Sequence, residues 1–401
     1  MLALEGVRIL DLSRLVPGAF CTMLLGDLGA DVLKVEAPGA NALWSLPGDL
    51  EQNRKTTAYY APDRNKKSIV INLKCASGQE VFYRLSRGTD VIVEGFRPGV
   101  AKRLGIDYKT INAINTGIIY CSLSGYGQDG PYSAFPGHDI NYISMAGVLD
   151  AIGSSEGPPV VPLNLIADFA GAALYGALSV AVALVARNAT GRGQYVDMAY
   201  ADGAMSLMTW FACGYFLDGS ALKRGESWLQ GAYPYYAAYK TADGKYITIG
   251  CLEPHFWGNL CRLLGKEEYI PYHFTLEHTF RKPGDKKWSE IRSSLEQIFV
   301  TKTRDEWFEL LIRSDVPAGK VYTPGEAFAD PQALHRQMVV EVQHPVLGKV
   351  KQVGIAPKFS DTPGKVRSLS PLPGEHTDEV LRGLGYNAQQ IENLRQEGAV
   401  C

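Results

Sequence analysis

Three ionisable residues lie in surroundings that would let them exchange protons with a ligand. They are His138 in the segment FPGHDINY, Asp168 in the apolar run NLIADFAGAAL, and Glu253 ahead of a proline in IGCLEPHFW. A histidine and a partly desolvated carboxylate can both act as general acids and bases near neutral pH. Each residue also has a structural interpretation, because His138 could close a loop, Asp168 could cap a helix, and Glu253 could begin one. The pattern alone leaves both interpretations open.

Two arginines could bind an anionic ligand. Arg97 and Arg103, in EGFRPGVAKRLG, follow a predicted strand, although a solvated surface turn explains them equally well. Other kinds of site have weaker support. The glycine-rich GYGQDGP lacks the Lys-Ser/Thr of a P-loop, LSGYG lacks the form of a serine nucleophile elbow, and the seven histidines do not pair at metal-ligand spacing. We therefore predict no metal site.

The composition is typical of a soluble globular protein. The chain has 401 residues, of which 46% are hydrophobic and 20% are charged, and this length predicts two or three domains. A net charge of −2 gives no general attraction for nucleic acid or an anionic membrane. Seven cysteines without a C-x-x-C pair, and no signal peptide, predict reduced thiols in the cytoplasm. The apolar run FAGAALYGALSVAVALVARN follows Asp168 and contains Arg187, which favours a buried core helix over a membrane span.

The hydrophobic pattern predicts strands that alternate with helices in the first part of the chain. The predicted strands are short apolar runs at 6–13, 31–39, 67–74, 89–96 and 117–127, with helices at 17–30 and 76–88. This alternation indicates an α/β fold with a Rossmann-like parallel sheet. Ligands of such sheets bind beyond the carboxyl ends of the strands, where the segments APG, EGFRPG and SGYGQDGPY fall.

Later segments predict a second domain. A long helix is predicted at 164–187, and the segment YPYYAAYKTADGKYITIGC predicts a β-hairpin. We predict a large Rossmann-like domain in 1–198, a linker in 199–230 and a smaller α+β domain in 231–312. Residues 313–401 are predicted to be a linker and a C-terminal part that returns to the large domain.

The motifs resemble those of the family III CoA transferases, the CaiB/BaiF group that also contains α-methylacyl-CoA racemase, and they are closest to the racemase. The similar segments run in order along nearly the whole chain: LEGVRILDLSRLVPGAFCTMLLGDLGADVLKVEAPG, NKKSIVINLK, DVIVEGFRPGVAKRLG, LSGYGQDGPY, GRGQYVDMAY, TADGKYITIG and GEHTDEVLRGLGY. The resemblance implies an interlocked dimer, in which each chain is threaded through the ring made by the other.

The resemblance implies one of two reactions. Family transferases use one aspartate as a nucleophile, which forms a mixed anhydride and then a CoA thioester. Family racemases use a histidine and an aspartate on opposite faces of the thioester α-carbon, with an enolate between the two proton transfers. Asp168 falls on the shared aspartate position. His138 falls on the racemase histidine, because PGHDINY closely resembles the racemase AGHDINY, and Glu253 matches the carboxylate that orients this histidine.

The resemblance therefore favours epimerisation of 2-methyl-branched or other 2-substituted acyl-CoA thioesters. The run of glycines that transferases carry near the hairpin is replaced here by WLQGAYPYY, which points the same way. The alternative is CoA transfer between carboxylic acids through Asp168. A third possibility is a non-catalytic subunit that supports an active homologue, but such a subunit has no need for the complete set of His138, Asp168 and Glu253. Aromatic residues in TWFACGYF and YPYYAAY suggest a bulky or aromatic acyl group.

The resemblance also implies a set of substrate contacts. Lys74, Arg97 and Arg103 match family contacts to the phosphates of CoA. The thioester would lie over GHDINY, with backbone N–H groups around Asp139 stabilising the enolate oxygen. The residues of this segment implied to bind substrate are Gly137, Asp139, Ile140, Asn141 and Tyr142. Ala37 stands where racemases commonly place an arginine near the adenine or ribose, so that contact must be replaced or absent.

The implied partners are few. CoA enters as part of the substrate, and no separate cofactor, nucleic acid or membrane is implied. A homodimer is expected, and a hetero-oligomer with a homologue is the other option. If the dimer is interlocked, Glu253 of one chain would complete the site of its partner.

Overall fold

The computed structural model describes residues 1–39, 50–273 and 285–401. Within these residues the chain forms two compact units. The large unit comprises Met1–Ala146, Leu163–Leu207 and Asp330–Cys401, and the small unit comprises Gly147–Pro162 and Met208–Ala329.

This division differs from the one that the sequence favours. The small unit extends beyond the 231–312 predicted as the smaller domain. The 199–230 predicted as a linker contains the helices Tyr200–Ser206 and Thr209–Asp218, which belong to different units. Both helices are apolar over much of their length, so their sequences lack the spacing of apolar residues, every three to four positions, that marks an amphipathic helix.

The large unit is built on a six-stranded parallel sheet in the order β3-β2-β1-β4-β5-β6. Its strands are β1 Arg8–Leu12, β2 Asp31–Glu36, β3 Lys66–Val70, β4 Val91–Glu94, β5 Ile119–Ser124 and β6 Tyr195–Ala199. This confirms the predicted α/β fold. The strand order reverses between β1 and β4, and ligands of doubly wound sheets bind in the crevice at that point.

The central strands are buried on both faces. Every residue of β4 and β5 is buried, as expected when helices cover both sides of a parallel sheet. Ile92, Tyr120 and Phe82 are among the buried members of the main core cluster. Leu381 and Ile391, from two C-terminal helices, belong to the same cluster, so the end of the chain packs into the core of the large unit.

Helices of the large unit flank this sheet. They are Val16–Asp27, Leu50–Tyr59, Ala76–Arg87, Val100–Arg103, Tyr108–Ile114, Asp139–Met145, Leu165–Leu174, Tyr175–Thr190, Tyr200–Ser206, Pro331–His335, Thr377–Gly383 and Ala388–Gln396, with a 3₁₀ turn at Ala61–Asp63. An antiparallel hairpin of β10 (Val339–His344) and β11 (Gly348–Val353) lies in the same unit.

A buried ionic network joins side chains of the strands β1, β2 and β3. The Lys66 ammonium, in a side chain without solvent exposure, donates to Asp11 Oδ2 and Asp63 Oδ1, each at 2.9 Å, and to the Ala19 carbonyl at 3.0 Å. Lys34 also pairs with Asp63. Because each charge is matched by an opposite charge and by hydrogen bonds, the network avoids the cost of isolated buried ions.

The small unit has its own core. Its three-stranded antiparallel sheet consists of β7 (Tyr236–Lys240), β8 (Tyr246–Gly250) and β9 (Ala318–Lys320). The β7–β8 pairing confirms the predicted hairpin. The helices of this unit are Thr209–Asp218, Pro254–Leu263, Lys286–Phe299, Arg304–Arg313 and Pro324–Ala329, with 3₁₀ turns at Leu149–Ala151 and Glu267–Tyr269.

Three tyrosines of YPYYAAY do not inform the choice of acyl group. Tyr233, Tyr235 and Tyr239 are at most 5% exposed and pack in the small unit's core with Trp257 and Phe299. The expectation that these aromatics surround the acyl group is therefore wrong for these three side chains, because the small unit uses them to fill its interior.

The apolar segment Leu165–Thr190 is long and apolar enough, by length and composition, to cross a membrane. One side of it is buried in the large unit, including Val180, Ala183 and Leu184. The opposite side exposes a row of large apolar side chains, namely Leu174, Leu178, Val182 and Val185, which are 49–70% exposed. The prediction of a buried core helix therefore holds for one face of the helix only.

Candidate active site

Buried polar groups without partners mark the carboxyl edge of the sheet. Ser13 follows β1, Ser124 ends β5 and Gln128 lies in the next loop; within the described residues, Ser13 Oγ, Ser124 Oγ and Gln128 Nε2 have no hydrogen-bond partner. Unsatisfied buried groups are rare and need an explanation. A polar ligand at this edge would supply one, and it is the edge at which parallel sheets bind ligands.

A buried carboxylate lies at the same edge. Glu94 ends β4, is 2% exposed, and accepts hydrogen bonds from Ser122 Oγ at 2.5 Å and from the Phe96 N–H at 2.6 Å. Burial raises the pKa of Glu94, and these two hydrogen bonds oppose that rise. The bond to Phe96 also fixes the turn that leads into Arg97.

The three basic residues matched to CoA phosphates are exposed. Arg97 and Arg103 follow β4, and Lys74 follows β3. Within the described parts of the chain, none of the three forms a salt bridge. The charge of Arg97 opposes the rise in the pKa of Tyr142, a residue of the segment GHDINY. These cations are free to meet an anionic ligand.

His138 is the N-cap of helix Asp139–Met145. Its backbone N–H donates to Asn141 Oδ1 at 3.0 Å, and its carbonyl accepts from the Asn141 N–H at 2.9 Å. The residue itself is exposed. The backbone of His138 therefore starts the helix while its imidazole remains accessible, so the loop-closing and chemical interpretations are compatible.

Asp168 lies in a π-helical segment, Leu165–Leu174, that continues into the α-helix Tyr175–Thr190. The sequence predicted one regular helix over 164–187 and missed the π segment. Such segments are rare and occur often at functional sites, because the extra residue in the turn displaces side chains from the regular helical pattern. Asp168 is half-buried, and Asn164 Nδ2 donates to its Oδ2 at 3.0 Å.

The surroundings of Asp168 make it a weaker acid than usual. Burial raises its pKa, the hydrogen bond from Asn164 lowers it, the Asp139 charge raises it and His138 lowers it, with a net rise. His138 and Asp168 are thus close enough to interact. The fold brings together two groups that are 30 positions apart in sequence.

Two tyrosines border the same carboxylate. Tyr142 donates its hydroxyl to the Gly137 carbonyl at 2.5 Å, and burial together with the Asp168 charge raises its pKa to about 12. Burial and Asp168 also raise the pKa of Tyr200. Both phenols therefore stay neutral near pH 7. Tyr200 was not a candidate from sequence, where nothing distinguishes it from other tyrosines.

The other members of GHDINY have different settings. Ile140 is 41% exposed. Asn141 is also exposed, and its side-chain oxygen accepts the hydrogen bond from the His138 N–H. A side chain at Gly137 would collide with Tyr142, because an added Cβ would lie 2.6 Å from its ring. Gly137 thus allows Tyr142 to pack under the loop that carries His138.

Glu253 lies in the small unit, as the N-cap of helix Pro254–Leu263. It is exposed, and its charge acts on His273. The structural interpretation of Glu253 as the residue that begins a helix is confirmed. Its pairing with a histidine of the site stays a prediction.

Close backbone packing holds the π segment in place. A Cβ added at Gly203, in helix Tyr200–Ser206, would lie 1.9 Å from the Gly171 carbonyl oxygen. We expect Gly203→Ala to push this helix away from the π segment, with a cost of about 1–3 kcal/mol in unfolding free energy and lower activity. Gly383→Ala, at a helical position with open space around the added Cβ, is the matched control for urea unfolding. Equal stability of the two variants would contradict this role of Gly203.

Comparison with known proteins places the chain in a family. A family model described as CoA-transferase family III matches residues 4–377. The chain belongs to CoA-transferase family III. A solved structure of a CaiB/BaiF family protein from Brucella suis is 30% identical, with a TM-score of 0.81 over 96% of this chain and 99% of that one. The resemblance inferred from the motifs is therefore confirmed.

Characterised members of family III at similar distance have different activities. The α-methylacyl-CoA racemase of Homo sapiens is 33% identical over 399 residues, which cover 99% of this chain and 97% of the relative. The succinyl-CoA:glutarate CoA-transferase of Homo sapiens is 34% identical over 398 residues, which cover 99% and 90%. This family III chain is accordingly an enzyme of the racemase or CoA-transferase kind, and overall identity does not separate the two.

Proposed function

We propose that the chain epimerises 2-methyl-branched or other 2-substituted acyl-CoA thioesters, with His138 and Asp168 as the two bases. The observation that carries the proposal is an accessible histidine, His138, whose neighbour in the chain, Asp139, accepts a hydrogen bond from the backbone of Asp168, a half-buried carboxylate whose pKa is raised. Reversible proton transfer between two bases is fastest when their pKa values are close, and the rise at Asp168 brings its pKa nearer to that of an imidazole.

In the proposed mechanism, one base removes the α-proton and the other returns a proton to the opposite face. The thioester carbonyl takes up the negative charge as an enolate, and the backbone N–H groups at the start of helix Asp139–Met145 stabilise its oxygen. Because the enolate is formed by proton transfer alone, the reaction needs no cofactor beyond the CoA of the substrate. Gly137, Ile140, Asn141 and Tyr142 would shape the surface on which the thioester lies.

Lys74, Arg97 and Arg103 would hold the phosphates of CoA. Their exposure and their lack of salt-bridge partners, within the described residues, support this assignment. Arginine side chains bind phosphate oxygens through paired N–H donors, whereas lysine acts as a point charge. Ala37, just beyond β2, offers no such group, so the adenine end of CoA must rely on other contacts.

CoA transfer through Asp168 is the second candidate. It is supported by the transferase relatives and by the fact that it needs only one of the two bases. In that reaction the Asp168 carboxylate attacks the thioester carbonyl, and a half-buried, weakly acidic carboxylate is a better nucleophile than an exposed one. His138 would then be a bystander.

The proposed enzyme acts as a homodimer in the cytoplasm. The exposed row of Leu174, Leu178, Val182 and Val185 is the kind of apolar surface that a second copy covers. A hetero-oligomer with a homologue would cover it equally well. In a dimer, the partner's small unit could supply Glu253 to orient His138. Sedimentation of the purified chain tests this, and a folded, fully active monomer would contradict it.

An optical assay separates the two reactions. A single 2-epimer of a 2-methylacyl-CoA is incubated with the enzyme, without any acceptor acid, and its circular dichroism is compared with that of the other 2-epimer. The proposal predicts that the two samples converge on the same spectrum, that of the epimer mixture, while the concentration of the starting thioester, both epimers together, stays unchanged. Spectra that stay different without an acceptor acid, and a starting thioester that is consumed only after an acceptor acid is added, would favour CoA transfer.

A further inference from the structure

The Asp139 side chain connects the two candidate bases. It follows His138 directly and is 3% exposed. Its Oδ2 accepts hydrogen bonds from the backbone N–H of Ala167 at 2.7 Å and of Asp168 at 2.8 Å. One carboxylate oxygen thus holds the start of the π segment, which is 28 and 29 residues away in sequence.

We infer that the Asp139 carboxylate is a positioning residue, which fixes the backbone of Asp168 relative to His138 and provides the negative charge that Asp168 faces. The inference rests on the proposed function, in which Asp168 is one of the bases. Two hydrogen bonds to consecutive N–H groups define both the position and the direction of a chain segment. Since His138 and Asp139 are neighbours in the chain, a shift of one base would move the other with it.

The second oxygen of Asp139 supports the electrostatic part of the inference. Asp139 Oδ1 is buried and has no hydrogen-bond partner within the described residues. A buried carboxylate with one free oxygen keeps much of its charge unscreened. This charge opposes ionisation of Asp168 and partly cancels the positive end of the π segment, which would otherwise stabilise an Asp168 anion.

Other polar groups also face the carboxylate of Asp168 or its neighbours. The Asp168 carboxylate interacts with His138 and Tyr142, which lie on the same stretch of chain as Asp139, and with Asn164, the N-cap of the π segment. It also interacts with Tyr200 of helix Tyr200–Ser206. The elements packed on the π segment carry further ionisable groups, namely Cys21, whose pKa burial raises well above its usual value, and Asp197, whose pKa is raised by burial and by the charges of neighbouring carboxylates, Asp202 included. Among these acidic groups, Asp139 is the one whose charge raises the pKa of Asp168.

Replacing Asp139 with asparagine removes the charge while keeping an oxygen that can accept from the two N–H groups. The pKa of Asp168 is therefore expected to fall, because the like charge is gone and the N–H groups favour the carboxylate. The acid limb of the kcat/KM profile should move to lower pH in the same variant. A merely structural role for Asp139 would change stability without moving either quantity.

The test is a titration of Asp168 by NMR in protein carrying ¹³C-labelled aspartate, with the signal assigned by its loss in Asp168→Asn. We expect the pKa of Asp168 in Asp139→Asn to fall by about 0.5 or more. Asp107→Asn is the matched control, since Asp107 caps helix Tyr108–Ile114 with hydrogen bonds from Lys109 and Thr110. It should leave the titration of Asp168 unchanged. An unchanged or raised pKa in Asp139→Asn would overturn the inference.

Two further measurements cover failure to fold and failure of the proposed function. If Asp139→Asn does not fold, Asp139→Ser offers a smaller uncharged acceptor, and hydrogen exchange in the unaltered protein reports on the Ala167 and Asp168 amides directly. Exchange of these amides as fast as that of exposed loops would overturn the inference. Because the titration needs no turnover, a lowered pKa in an enzyme that does not epimerise supports Asp139 as a positioning residue and refutes only the proposed reaction.

Discussion

In His138→Ala, α-proton exchange is expected to stop for one 2-epimer of the substrate and to continue for the other. His138 and Asp168 are proposed to act on opposite faces of the α-carbon, so each epimer presents its proton to a different base. Loss of a general base costs at least about 10²-fold in rate, and racemisation, which needs both bases, should fall by at least that factor. The measurement is deuterium uptake from heavy water by each epimer separately.

His335→Ala is the control for the loss of a histidine, because His335 is exposed in the same unit and lies on helix Pro331–His335. This variant should exchange the α-proton of both epimers at the unaltered rate. Asp168→Ala should show the opposite preference to His138→Ala and should also stop any CoA transfer. Unchanged α-proton exchange of both epimers by His138→Ala would remove His138 from the mechanism.

In Lys66→Met, a large loss of stability is expected. Methionine keeps most of the side-chain volume but leaves Asp11 and Asp63 buried without the ammonium that now lies 2.9 Å from each. Burial alone would lower the pKa of Lys66, but the charges of Asp11 and Asp63 outweigh this effect and leave the pKa above its usual value. The lysine is therefore held in its charged form. Removing one partner of a buried ion pair costs about 3–5 kcal/mol.

Lys67→Met is the matched control one residue away. Its ammonium pairs with Glu379 at 2.7 Å, but both side chains are largely exposed, at 45% and 60%. Exposed pairs contribute only about 0–1 kcal/mol. Urea unfolding of the two variants should therefore give very different free energies. A similar small loss in both would show that the buried network relaxes, through water or proton uptake, when the lysine is removed.

Much of the large sheet could be predicted from the sequence. The runs RILDL, VIVE and IYCSLS are short, apolar and bounded by turns, and they form β1, β4 and β5. The hairpin was predictable for the same reason. The apolar helices at 200–218 could not be predicted, because a segment that is apolar on all sides shows no helical spacing of apolar and polar residues.

The finer features of the site depend on contacts that a sequence does not record. The π segment has the composition of an ordinary helix, and the close approach of Gly171 to Gly203 joins two elements that are distant in the chain. The hydrogen bonds from Ala167 and Asp168 to Asp139 are likewise tertiary. Charged residues inside apolar strands, such as Asp11 in ILDLS, were the one available signal for the buried ionic network.

The choice of His138 and Asp168 came from resemblance to a family rather than from pattern. The structure adds the exposure of His138, the hydrogen bond that links the backbone of Asp168 to the neighbouring Asp139, and the direction of the Asp168 pKa. Sequence reasoning assigned Asp139 a backbone role only and did not anticipate what its side chain binds. Glu253 remains a prediction that depends on the dimer.

The central claim is that one base removes the α-proton and a second base delivers a proton to the opposite face of the α-carbon. It is tested most directly by mass analysis of a chiral 2-methylacyl-CoA incubated in heavy water without an acceptor acid. The account predicts that the newly formed 2-epimer carries one deuterium at the α-carbon from the earliest times. Retention of both chirality and the α-proton, together with hydroxylamine-sensitive acylation of Asp168, would contradict it and identify the enzyme as a CoA transferase.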